Sequence, residues 1–337
     1  MARVIVDARD AVAADARGWG RYARELLAAL ERARPEGIEI IRAEEQGAGP
    51  EVLWEQITLP RILRRERAAL VHSPNCFLPL RRPCPGVVTV HDLAFEAHPE
   101  DFSRRTGTKY RLLARRAARS AERVIVPSRF TRADMAKRWG IDPGKVRVIP
   151  EAPALPVTDL ESPEGPYLLA VGDIRLKKNL LRLVQAFRAL HADGLPHRLV
   201  LAGADQGQAA ALLDAAGDAP VELTGYVDDA RLDALMRGAD VLVHPSLYEG
   251  FGLVVVEAMA RGTPVACSAA GSLPETAGGA AELFDPRDVA GISAAILAIT
   301  GDPSHRTDLA QLGLARAAEL SWDAAAALTA GVYRELL

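Results

Sequence analysis

Short apolar runs alternate with helix-patterned stretches along this 337-residue chain, and a proline-rich segment interrupts the alternation once. Pro150, Pro153, Pro156, Pro163 and Pro166 fall within seventeen residues. Proline lacks an amide donor and fixes φ, so neither a helix interior nor a central strand continues through such a segment. It reads as a linker between two β-α series. Before it, the pattern predicts strands at 4–7, 38–41, 70–73, 87–90, 123–127 and 146–150, with helices over 21–30, 108–120 and 131–139 among those between them. After it, strands are predicted at 167–172, 198–203, 221–224, 241–244, 264–266 and 281–284. Strands that alternate with helices in this way build an α/β protein with parallel sheets covered on both faces. Both halves therefore read as Rossmann-like, and ligands of such sheets bind at the carboxyl ends of the strands.

The length suits two domains, each large enough to bury its own core. The expected division is residues 1–155, residues 156–319, and a final amphipathic helix within 320–337. A hydrophobic fraction of 49% and a charged fraction of 25% are those of a soluble globular protein. Cys76, Cys84 and Cys267 are too scattered for a disulfide framework or a C-x-x-C zinc pair, which points to a reducing, cytoplasmic setting. The opening Met1-Ala-Arg-Val-Ile-Val-Asp7 reads as a strand, too short and too charged for a secretory segment. The longest uncharged apolar run, 289–300, is too short to span a bilayer and reads as a packed helix.

Charge is uneven along the chain. Residues 1–155 carry 28 Lys and Arg against 20 Asp and Glu; residues 156–337 carry 13 against 24. Two readings fit the basic half: solvated arginine-rich helix faces, or a surface that meets an anionic acceptor or a membrane surface. Nucleic acid is a poor partner for a chain with 5% aromatic residues and no binding motif.

The motif most specific for chemistry is Pro245-Ser-Leu-Tyr-Glu249-Gly-Phe-Gly-Leu-Val-Val-Val-Glu257-Ala-Met-Ala-Arg-Gly-Thr-Pro264. It follows a strand-like run and opens a short helix. Two carboxylates accept hydrogen bonds from hydroxyls, and amides at a helix start lack intrahelical acceptors. A second motif, Val171-Gly-Asp-Ile-Arg175-Leu-Lys177-Lys178-Asn179, sets cations beside a helix start with Asn179 as its predicted N-cap. Mobile positive charge there suits a diphosphate. A glycine-rich turn, Gly18-Trp-Gly20-Arg21-Tyr22, lies between the first strand and first helix, and Thr89-Val-His91-Asp92 ends another strand.

These strings resemble the retaining glycosyltransferase family 4, the group 1 glycosyltransferases of GT-B fold. The resemblance spans nearly the whole chain and is most diagnostic in the C-terminal half. It implies two Rossmann-like domains facing across a cleft, the first binding the acceptor and the second a nucleotide-diphosphate-sugar. By resemblance, Lys178 binds the donor diphosphate, and Glu249 contacts the sugar hydroxyls alongside Gly250, Phe251, Gly252 and Leu253. Glu257 would bind the ribose, and Gly225, Tyr226 and Val227 the base. Gly18, Gly20 and Arg21 would lie near the transfer centre, and His91 near the donor sugar. Ser128 and Arg129 match a recurrent stretch that is equally well read as a helix cap, and Glu275 lies in a loop near the sugar or is a simple helix acid. Asp92 reads as orienting His91 or capping a turn. The remaining histidines, His244 among them, carry no assignment. Many relatives place an arginine where this chain has Asp173, so either Arg175 or Lys177 would supply the second cation.

The chain contains no D-x-D triplet, and the family's reaction needs no cofactor, the GDP- or UDP-linked sugar being a substrate. The expectation is a metal-independent hexosyltransferase, mannosyltransferase-like from its Leu-Lys-Lys-Asn loop. Its acceptor is a glycan, a lipid-linked or a small-molecule hydroxyl, and it works in the cytoplasm or peripherally at the inner membrane face. Two alternatives stand beside it: a noncatalytic nucleotide-sugar-binding partner of another transferase, and a GT-B sugar epimerase.

Overall fold

The structure is a computed structural model and describes residues 1–12, 18–44 and 51–337. The chain divides into two compact units, Met1–Ala154 with Leu320–Leu337, and Leu155–Glu319. Each is built on one six-stranded, all-parallel sheet.

The first unit contains β1 (Ala2–Asp7), β2 (Ile38–Ala43), β3 (Leu70–Ser73), β4 (Gly86–Thr89), β5 (Arg123–Val126) and β6 (Val146–Val148). Their order is β2-β1-β3-β4-β5-β6. Central strands such as β3 and β4 are buried at every position, as expected of a parallel sheet covered on both faces. One apolar cluster centres on Val71, Val88, Phe95 and Trp139, and another on Val6, Leu27, Ile125 and Tyr333. The last helix, Trp322–Arg334, packs on the helix Trp19–Ala33. It is tied in by polar contacts. The Tyr333 hydroxyl lies 2.7 Å from Nδ1 of buried His72, whose Nε2 lies 2.9 Å from the Thr89 hydroxyl. Burial pushes the His72 pKa down to about 3, so the ring is neutral there. Arg123 and Arg147 both hold Glu335 at 2.7 Å.

The second unit contains β7 (Tyr167–Val171), β8 (Arg198–Ala202), β9 (Val221–Gly225), β10 (Val241–His244), β11 (Val265–Ser268) and β12 (Glu282–Phe284). Their order is β12-β11-β10-β7-β8-β9. Counted within the unit this is the doubly wound order 3-2-1-4-5-6 read from its other edge. The order reverses between β7 and β10, and in such sheets ligands bind at that switch point, outside the carboxyl ends of the strands.

Most predicted elements are present, with bounds shifted by a few residues. The first helix begins at Trp19 rather than 21, because Gly18 takes the N-cap at φ +48° and its carbonyl accepts from the Tyr22 amide. Gly20 and Arg21 therefore sit in a helical turn and not in an open loop. The long basic helix begins at Arg104, capped by Ser103, whose hydroxyl accepts from the Thr106 amide. The sequence pattern also missed a helical stretch over 51–65, which includes a π-helical segment at Trp54–Thr58.

Tyr333→Phe removes the partner of a buried imidazole nitrogen. It is expected to destabilise the first unit by about 1–3 kcal/mol, read as a lower urea midpoint.

Candidate functional site

The switch point of the second unit places the two diagnostic motifs together. The loop after β7 ends in the short 3-10 turn Leu176–Lys178, and the loop after β10 carries Glu249. Lys178 Nζ lies 2.6 Å from Glu249 Oε1, and Lys177 Nζ lies 3.7 Å from Oε2. The Leu247 amide donates to the Lys177 carbonyl at 2.8 Å, which stitches the two loops. The Ser246 hydroxyl donates to Glu249 Oε1 at 2.8 Å, and His244 Nε2 lies 3.2 Å from the same oxygen.

Glu249 is buried, and burial by itself raises a carboxyl pKa. Lys177, Lys178 and the His244 contact outweigh it and hold the group well below 4.5. His244, fully enclosed, is pushed down by burial and stays neutral. Near neutral pH the carboxylate is thus ionised and acceptor-only, with Oε1 engaged by Lys178, the Ser246 hydroxyl and the His244 imidazole, and Lys177 at ion-pair distance from Oε2.

The backbone around this pair is crowded, and glycine permits it. A Cβ on Gly203 would lie 2.1 Å from the Gly172 carbonyl oxygen, and one on Gly271 would lie 2.7 Å from the Glu249 carbonyl oxygen. The Ser272 amide and hydroxyl both donate to that Glu249 carbonyl at 3.1 Å. The helix Leu253–Met259 starts from Gly252 at φ +95°, a conformation glycine adopts without Cβ strain. Phe251 is buried, and its carbonyl accepts from the Thr276 hydroxyl. Glu257 lies inside this helix and is 1% exposed. Gly250 links Glu249 to this turn.

Asn179 corrects the sequence reading. It adopts a left-handed conformation, φ +57°, and its side chain caps no amide. Its Nδ2 instead donates to the carbonyls of Pro245 and Pro286 at 3.0 and 2.7 Å, and its Oδ1 accepts from Arg182. It fastens the lysine loop to the loop before Glu249. Arg175 pairs with Asp173 at 3.2 Å, both about a third exposed, so Lys177 rather than Arg175 is the second cation on Glu249. Gly225 ends β9 at φ +68°, followed by Tyr226, half exposed, and Val227, packed on the core.

In the first unit, His91 follows β4. Its Nε2 donates to the Pro74 carbonyl at 2.8 Å, its Nδ1 lies 2.9 Å from Glu151 Oε1, and its ring packs on Trp19 and Tyr22. Both ring nitrogens are engaged, which makes His91 a brace as the structure stands. Arg21 is buried in the same helical turn as Tyr22. Ser128 caps the helix Arg129–Trp139, accepting from the Thr131 amide, and Asp92 accepts from the Ala94 amide; both follow their capping readings. Glu275 is exposed on the first turn of its helix.

Sequence reasoning left Arg175 and Lys177 as alternatives for the second cation, and it missed His244 and Ser246 beside Glu249. His244 and Ser246 lie five and three residues before Glu249, inside or beside β10, where an apolar run masks a histidine's role. It also missed a polar cluster at the ends of β1 and β3. There Asp7 accepts from Trp54 and the Arg9 amide, Arg9 pairs with Asp10 and Glu55, and Asn75 donates to Asp10. Burial pushes Asp7 up to about 6 and Glu55 up to about 7, against the pull of Arg9.

The family described as Glycosyl transferases group 1 matches residues 157–315, and Glycosyltransferase Family 4 matches residues 22–152. The O-antigen chain mannosyltransferase B of Escherichia coli is 32% identical over 295 residues, which are 81% of this chain and 76% of that protein. The MMP alpha-(1->4)-mannosyltransferase of Mycolicibacterium hassiacum is 32% identical over 67% of this chain and 57% of its own length. Among solved structures, sucrose-phosphate synthase of Thermosynechococcus elongatus superposes with a TM-score of 0.74 at 24% identity, covering 100% and 99% of the two chains. HepE of Anabaena, in complex with UDP and glucose, superposes with a TM-score of 0.73 at 18% identity over 100% of both. These likenesses establish a GT-B fold. The chain belongs to the group 1 glycosyltransferases and is a glycosyltransferase.

The folded-state pKa of Glu249 lies below its unfolded value, so its contribution to stability is complete above about pH 4.5 and is lost as pH falls through the folded value. Glu249→Gln is expected to flatten the acid side of the stability curve, measured by urea unfolding between about pH 7 and about pH 3. An unchanged slope would show that Glu249 is not the group that titrates.

Proposed function

We propose that this chain is a retaining, metal-independent hexosyltransferase. It moves a mannose-like sugar from a GDP- or UDP-linked donor to a hydroxyl of a glycan, lipid-linked or small-molecule acceptor. The observation that carries the reading is the Lys178–Glu249 pair at the switch point between β7 and β10. The mannose assignment draws support from two mannosyltransferases at 32% identity.

In this reading the second unit holds the donor and the first the acceptor. The diphosphate draws Lys178, with Lys177 behind it, away from Glu249. The freed lone pairs of Glu249 then accept from the sugar hydroxyls, alongside the Gly250–Leu253 turn. Glu257 accepts from the ribose hydroxyls, and Gly225, Tyr226 and Val227 flank the base. The anomeric bond to the leaving diphosphate breaks as the acceptor oxygen bonds to the same face, and a leaving phosphate oxygen takes the acceptor proton. Cations fixed in place where charge develops supply about 3–4 kcal/mol per group removed. Gly18, Gly20, Arg21 and His91 shape the acceptor side, with His91 as a positioning group. Three free cysteines, Cys76, Cys84 and Cys267, suit a reducing cytoplasm, and the basic first unit suits peripheral contact with an anionic membrane. Among the described residues no helix is long and apolar enough to cross a membrane.

A thermal-shift panel of UDP, GDP and ADP with their sugars identifies the donor. A ligand at about a hundred times its Kd stabilises by about 2.7 kcal/mol, and no shift with any of them contradicts the reading. Lys178→Ala is expected to cut turnover at least about tenfold with the protein folded. Glu257→Ala is expected to weaken nucleotide binding by about 1.5–3 kcal/mol in calorimetry, as loss of a charge-assisted hydrogen bond would. Unchanged values remove those roles.

A further inference from the structure

The helix Arg104–Ser120 carries seven cations, Arg104, Arg105, Lys109, Arg111, Arg115, Arg116 and Arg119, and no acidic residue. Gly107, Ala114, Ala117 and Ala118 face the core. The stripe flanking this face lines an open pocket of about 500 Å³ with Arg111, Leu112, Arg115, Arg116, Arg119 and, from the preceding short helix, Glu96. Nothing in the proposed donor reading uses this pocket.

Two of its charges have protein partners. Arg119 donates to the Trp139 carbonyl at 3.1 Å, and Glu96 accepts from Trp139 Nε1 at 3.0 Å. Lys109, on the neighbouring stripe, pairs with Glu51. Arg111, Arg115 and Arg116 have no carboxylate within ion-pair distance among the described residues. Arg115 Nε is shut off from solvent and meets no acceptor. A buried donor without an acceptor is costly, and guanidiniums four residues apart on a helix repel. Arg111, Arg115 and Arg119 repeat at that spacing, and the single Glu96 does not balance them.

We propose that this pocket is an anion site for a phosphate or diphosphate group. A planar guanidinium fork matches phosphate oxygens two at a time, and several forks converge here on one concavity. The volume exceeds that of a bare phosphate, and Leu112, half exposed at its wall, gives an adjoining apolar surface. The ligand is therefore a phosphorylated compound with an apolar portion, free or anchored as a lipid headgroup. The two sources share the chemistry and differ in where the phosphate is presented.

The test uses the full chain carrying Lys178→Ala, which silences the proposed donor subsite. Inorganic pyrophosphate is titrated in by calorimetry, and sedimentation with phosphatidylglycerol–phosphatidylcholine vesicles is compared with phosphatidylcholine alone. Pyrophosphate binding that falls at least about tenfold on adding Arg111→Gln with Arg115→Gln identifies a soluble phosphate ligand. Vesicle binding that needs phosphatidylglycerol and falls likewise, with pyrophosphate inert, identifies a headgroup. Should the double substitution fail to fold by circular dichroism, the exposed Arg116→Gln carries the comparison with an expected loss of about threefold. The proposal is overturned if neither ligand binds, or if the substituted chains bind both as their parent does. A Lys178→Ala chain that retains full donor affinity would sink the donor reading and leave this one standing.

Discussion

A buried carboxylate that must stay ionised is the constraint on which the second unit is organised. Burial alone would push the Glu249 pKa up and favour its neutral form. It stays charged because Lys178, Lys177, Ser246 and His244 converge on it from two loops. Those loops leave adjacent parallel strands where the sheet order reverses. The doubly wound topology thus determines that a lysine from one motif meets a glutamate from another, 71 residues away. Gly172, Gly203 and Gly271 let the backbones approach closely enough for that meeting, and Asn179 pins the lysine loop by its amide. An ion pair at a surface would contribute little, whereas an enclosed one with hydrogen-bonded lone pairs holds a defined geometry.

The first unit uses buried polarity differently. His91 is braced on both nitrogens, and His72 is neutral between Thr89 and Tyr333. Asp7, Arg9, Glu55 and Trp54 form a polar knot at the end of β1. These groups hold strand ends and the last helix in place. Arg111, Arg115 and Arg116, which have no carboxylate partner among the described residues, line a pocket beside the helix Arg104–Ser120. The excess positive charge of the N-terminal half is thus concentrated, in part, around a concavity.

Much of the fold was legible because it depends on pattern. Apolar runs bounded by glycine and proline give the strands, and the prolines over 150–166 fall where one unit gives way to the other. The Glu249 and Lys178 motifs were legible because their residue types and their positions after strands agreed. Conformations that propensity does not encode were not legible. Asn179 is a good N-cap residue by type, yet the chain reaches it in the left-handed region, where its side chain turns to other carbonyls. His244 reads as one more residue of an apolar strand, and only the fold brings it to Glu249. Arg175 and Lys177 are equivalent in sequence, and a local Asp173 contact separates them. The cluster around Asp7 joins residues up to 65 positions apart, beyond the reach of local spacing.

The central claim is that a diphosphate replaces Glu249 as the partner of Lys178 in the second unit. A crystal structure with bound GDP or UDP tests it most directly. The account predicts Lys178 Nζ at about 3 Å from a phosphate oxygen and the ribose hydroxyls on Glu257. A nucleotide seated elsewhere, with Lys178 still on Glu249, would contradict it.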